Sequence, residues 1–146
     1  MTIFEYGLVD LVKSDARAES FFLGRGYPGP APQDAPGPYW TYRLISTDKG
    51  RYLRGRNQAT RLMYQLDVWD TDHDRCAEAA DVLDDVLDGF RGWALGCFVR
   101  RMQCKVAAAD DEPDDDVSDG KWFRRRLEIT ADIDANRTDY PDRFQG

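Results

Sequence analysis

LGRGYPGPAPQDAPGPYWTYRL, residues 23–44, decides the fold, because five of the chain's seven prolines fall between Pro28 and Pro38. A linker here would separate two units, yet the amphipathic patterns on either side need each other to bury anything. A proline-rich ligand needs an exposed, extended segment, whereas this one runs straight into a strand. The reading that remains is a stiff connection inside one domain, with prolines limiting the entropy lost on folding. At 146 residues and 42% hydrophobic composition the chain suits a single core.

Working outward, IFEYGLVDLVK (residues 3–13) places Phe4, Leu8, Leu11 and Val12 on one helical stripe, and Ser14-Asp15 offers a second start for ARAESFF before Gly24 and Gly26. From Tyr39 the period becomes two. Trp40, Tyr42 and Leu44 share one face, and Thr41, Arg43 and Ile45 share the other. A second alternating run, RLMYQLDVWD, aligns Leu62, Tyr64, Leu66 and Val68, and the two runs are expected to pair as a hairpin. TDHDRCAEAADVLDDVLDGF predicts a helix capped by Thr71 or Asp72 and ended by Gly89, with Cys76, Ala79, Leu83, Val86 and Leu87 inward. Two further strands are predicted over Gly96–Val106 and Lys121–Ile133.

The expected fold class is α+β. It is a small, mainly antiparallel four-stranded sheet with an N-terminal helix and one long helix packed on one face. Residues 1–134 form the domain, and 135–146 are a polar C-terminal tail.

The net charge of -7 is local. Residues 107–120, AAADDEPDDDVSDG, carry seven acids and no base, and without them the chain has 20 acids against 20 bases. Such a body lacks the basic face of a protein held to DNA by phosphate contacts. No apolar run is long enough for a membrane span, and the N-terminus lacks the features of a signal peptide. Three cysteines, Cys76, Cys97 and Cys104, fit buried thiols in a reducing compartment better than a disulfide framework.

The chemistry-bearing patterns are weak. A calcium loop aligned on Gly120 puts Asp115 at position one but Val117 at three and Arg126 at twelve, so it fails. His73 and Cys76 form H-x-x-C, but Cys97 and Cys104 are too awkwardly spaced to complete a zinc site. Asp67, Asp70, Asp72 and Asp74 are explained by a strand end and a helix cap without any acid–base role. No catalytic, cofactor or metal residues are expected, and the chain is expected not to be an enzyme.

Surfaces remain. Met63, Trp69 and Trp122 sit opposite the apolar rows, as candidate inter-subunit or tube contacts or as groups covered by the proline-rich segment. The loop carrying Arg51, Tyr52, Leu53, Arg54 and Arg56 mixes basic and aromatic residues. It suits contact with a neighbour or, alternatively, a nucleic-acid-binding module acting through residues 49–61. Asp110, Asp111, Glu112, Asp114, Asp115, Asp116 and Asp119 make a candidate acidic rim or lumen loop.

Three motifs in order carry a resemblance. Tyr27-Pro28-Gly29, Ala31-Pro32, Ala35 and Pro38-Tyr39 match YPG-x-AP-x-x-A-x-x-PY; Tyr64, Leu66, Asp67, Val68 and Trp69 match Y-x-LDVW; and an alanine-rich helix closes on Leu87, Asp88 and Gly89 after Val82 or Val86. Over residues 5–134 the chain resembles the tail completion or tail terminator proteins, which join head to tail, of long-tailed bacteriophages and gene-transfer particles. The resemblance implies a virion protein of the neck region, assembled in the host cytoplasm. It implies a homo-oligomer, a hexameric ring on the tail tube, touching the major tail-tube protein and the head–tail connector or stopper. Genomic DNA would pass through the lumen without specific binding, and no cofactor or membrane is involved.

Overall fold

The computed structural model describes residues 2–49, 59–108 and 122–134. Its elements are α1 (Ile3–Ser14), α2 (Ala16–Phe22), β1 (Gly26–Pro28), β2 (Tyr39–Lys49), β3 (Ala59–Asp70), α3 (His73–Leu87), β4 (Gly92–Ala94), β5 (Cys97–Ala108) and β6 (Phe123–Asp134).

Alternating side chains make the long strands. In β3, Leu62, Tyr64, Leu66 and Val68 are buried; in β6, Leu127, Ile129, Ala131 and Ile133 repeat the pattern one strand over. The helices start where short polar side chains satisfy free N–H groups. Thr2 accepts from the Glu5 amide, Asp15 from the amides of Arg17 and Ala18, and Asp72 from that of Arg75. Because Asp15 is itself extended, the N-terminal helical segment is two helices rather than one.

The expected four-stranded sheet with an N-terminal helix and one long helix is overturned. Among the described residues the sheet has six strands in the order β1-β2-β3-β6-β5-β4, it is mixed, and three helices accompany it. Both additional strands are three residues long, too short to show a period. The first lies inside the proline-rich stretch, where Gly26, Tyr27 and Pro28 pair in parallel with Trp40, Thr41 and Tyr42. The second, β4, pairs antiparallel with the start of β5. The long strands β2, β3, β6 and β5 alternate in direction throughout.

One core holds the layers together. Phe4, Leu8 and Val12 of α1, Phe22 of α2, and Cys76, Ala79, Leu83 and Leu87 of α3 join the inward rows of the sheet. Each large apolar side chain buried in this way contributes about 1.5–3 kcal/mol. Val86, expected inward, is only partly buried at the margin of this core. Gly7 brings α1 directly onto β4: a β-carbon there would lie 2.5 Å from the Ala94 carbonyl oxygen.

Candidate functional site

The sheet's outward face is built by the residues that alternate with the core rows. At one end it is aromatic. Tyr39 stacks on Trp69 with ring centroids 6.4 Å apart, meets Trp122 at 5.5 Å and Tyr27 at 5.9 Å, and the Arg124 guanidinium lies 5.5 Å over the Trp69 ring. The proline-rich segment covers this cluster, since a β-carbon on Gly37 would lie 3.1 Å from the Trp122 ring and 2.7 Å from Asp70.

Of the sequence-derived contact candidates, Trp69 and Trp122 are therefore brought together and half-buried within the chain itself, and Met63 is half-buried on the same face. Arg51, Tyr52, Leu53, Arg54 and Arg56 lie outside the described residues, as do Asp110, Asp111, Glu112, Asp114, Asp115, Asp116 and Asp119. The strand ends that bracket the two groups are described. Lys49 and Ala59 stand at one end of the sheet, and Ala108 and Phe123 at the other.

The rest of the outward face is an array of cross-strand charge pairs. Arg61 holds Asp132 at 2.8 Å, Arg126 holds Asp67 at 3.1 Å, Arg100 holds Asp134 at 3.2 Å and Lys105 holds Glu128 at 3.7 Å. Pairs whose cation stays largely in solvent, as Arg61 and Lys105 do, contribute up to about 1 kcal/mol each, so their main effect is to fix register and give the face a defined charge pattern. A groove of about 360 Å³ opens where the segment 29–31 passes over Tyr39, Thr41, Gln65 and Trp69.

The acids around WDTDHD have structural partners. Asp70, fully buried at the end of β3, accepts two hydrogen bonds from the Arg75 guanidinium and one from the Thr71 amide. Asp67 is held by Arg126 and Gln65, Asp72 caps α3, and Asp74 meets His73 at 3.2 Å. His73 also packs edge-on against Phe123, with centroids 5.3 Å apart. The Cys76 thiol donates to the Val68 carbonyl, burial pushes the Cys97 thiol up to about 11, and burial likewise raises Cys104. Among the described residues, no three His, Cys, Asp or Glu side chains converge as a metal site.

Sequence reasoning missed the burial of Asp70 and the pairing of Tyr39 with Trp122. Nothing local signals either one, because both depend on where the proline-rich segment returns to the sheet.

No family model matches this chain. No curated protein matches it in sequence. Among solved structures, a chain of the virion of a native gene transfer agent (GTA) particle superposes with a TM-score of 0.52 over 87% of this chain and 91% of that one, at 17% identity. A second solved chain reaches a TM-score of 0.45 at 18% identity over 96% of this chain. The fold is thus similar to that of a chain in a gene transfer agent virion.

Proposed function

We propose that this chain is a structural virion protein that forms a ring, six-fold in the simplest case, at the head-proximal end of a phage-like tail tube. There it ends tube growth and provides the surface on which the head connector docks, while DNA passes through the ring without specific binding. The reading involves no catalysis. The observation that carries it is the fold shared, over nearly the full length of both chains, with a chain of a gene transfer agent virion. The ordered sequence motifs support the same reading, and Asp70 and Asp67 are engaged as ion-pair partners and Asp72 as a helix cap.

The test is assembly. The purified chain is added to polymerising tail-tube protein of the same particle, and tubes are imaged by negative-stain electron microscopy. Rings seated on one tube end, with tubes of restricted length, are expected. A chain that never associates with tube protein overturns the proposal.

A further inference from the structure

Resting on the ring reading, we propose that neighbouring subunits meet head to tail through the two opposite margins of the sheet, with Asp48 of β2 on one copy facing Arg91, just before β4, on the next. One margin is β2. Strand β1 covers only Trp40–Tyr42, and among the described residues nothing pairs with the outer edge of β2 beyond them. Along this open edge Arg43 and Asp48 are exposed, and between them Leu44 and Ile45 are 43% and 50% exposed. A bare edge carrying apolar side chains is a surface that folded proteins rarely leave uncovered.

The opposite margin is different in construction. The edge of β5 is already capped: the Gly89 amide donates to the Met102 carbonyl, the Cys104 amide donates to the Asp88 carboxylate, and β4 pairs with Cys97–Val99. The segment from Asp88 to Ala94 therefore forms this side of the molecule, with Asp88 and Arg91 exposed.

Register fixes the heights of these groups. Asp48 pairs with Arg61, Arg61 with Asp132, and Asp132 with Arg101. Gly92 lies opposite Val99, which belongs to the adjacent row, so Arg91 stands level with Asp48. Lower down, Leu44 pairs with Tyr64, Tyr64 with Ile129 and Ile129 with Cys104, whose amide holds Asp88. Asp88 thus stands beside the row of Leu44, next to that of Arg43. One margin reads cation below and anion above, and the other reads anion below and cation above.

A second copy brought alongside by rotation about an axis running with the strands preserves these heights. It sets Asp48 against Arg91 and Arg43 against Asp88, with Leu44 and Ile45 enclosed between the two pairs. Neither Asp48 nor Arg91 has an ion-pair partner among the described residues. A two-fold dimer joining like margins would place Asp48 on a different partner, so the pattern favours rotation around a ring.

The experiment uses the full chain. Self-association is followed by sedimentation velocity and native mass spectrometry, with a thermal melt confirming that each variant is folded. Asp48→Arg and Arg91→Asp are each expected to weaken association at least about tenfold, and the double swap to restore it. Ile45→Arg, at an exposed site, is expected to leave the melt unchanged and abolish association. Rings that form equally well in all four variants overturn this contact while leaving the ring reading intact. A two-fold dimer as the only oligomer overturns it too. A wild-type chain that stays monomeric at every concentration also overturns it, and tube capping then decides the function separately.

Discussion

Gly26 lies against the indole of Trp40 so closely that a β-carbon there would sit 2.6 Å from both Cε2 and Nε1. This contact lets β1 lie beside β2 and carries the chain from the helices into the sheet. Gly26→Ala must displace a large, fully buried ring, so it is expected to destabilise the protein by about 1–3 kcal/mol, read from the urea midpoint. Wild-type stability would show that β1 is not held at this distance.

The buried Asp70 carboxylate depends on Arg75, which reaches it from the first turn of α3. Arg75→Ala leaves a desolvated charge without its cation and is expected to cost roughly 2–4 kcal/mol. Adding Asp70→Asn removes the stranded charge and should recover part of that loss. A double variant no better than the single would show that the two side chains are not energetically coupled.

Tyr64 donates from its hydroxyl to the Glu5 carboxylate at 2.7 Å, tying the start of α1 to the middle of the sheet. Burial, followed by this hydrogen bond, raises the tyrosine's pKa. Tyr64→Phe keeps the ring in place against Phe4 and loses only the bond, so a loss of about 1–2 kcal/mol is expected in denaturant unfolding.

Leu95 occupies a two-residue turn between β4 and β5 with φ +44°, and Gly96 follows with φ +85°. A turn with both angles positive suits asparagine and glycine, whereas leucine in this conformation is strained. Because the Leu95 side chain is 49% exposed, Leu95→Asn is expected to raise stability by about 1 kcal/mol. A destabilised variant would mean that the leucine contributes packing that outweighs the strain.

Alkaline pH tests the buried thiol of Cys97, raised by desolvation from 9.0 to about 11. Below 9.0 the thiol is protonated in both folded and unfolded chains. Above it the unfolded chain loses the proton first, so stability is lost as pH rises towards about 11. The denaturant midpoint is expected to fall across that interval, and Cys97→Ala to flatten the fall. Cys104 and Tyr64 act in the same direction, so some slope remains in the variant.

The sequence by itself determined the local structure of this protein. Leu62, Tyr64, Leu66 and Val68 alternate because one face of β3 is buried, and Leu127, Ile129, Ala131 and Ile133 repeat that signal in β6. The helix over His73–Leu87 and its Asp72 cap follow from spacing and a single polar side chain. Such signals are legible because burial and capping act on neighbouring residues with a fixed period. Tertiary structure alone decided the strand order and the two three-residue edge strands. Gly26–Pro28 becomes a strand only because the edge of β2 is there to receive its hydrogen bonds, and Gly92–Ala94 only because β5 is. It also decided which outward aromatics are covered, since Gly37 admits Trp122 and Asp70 at the same point. Asp48 and Arg91 stand at one height because four strand registers lie between them, and no spacing in the sequence records a register.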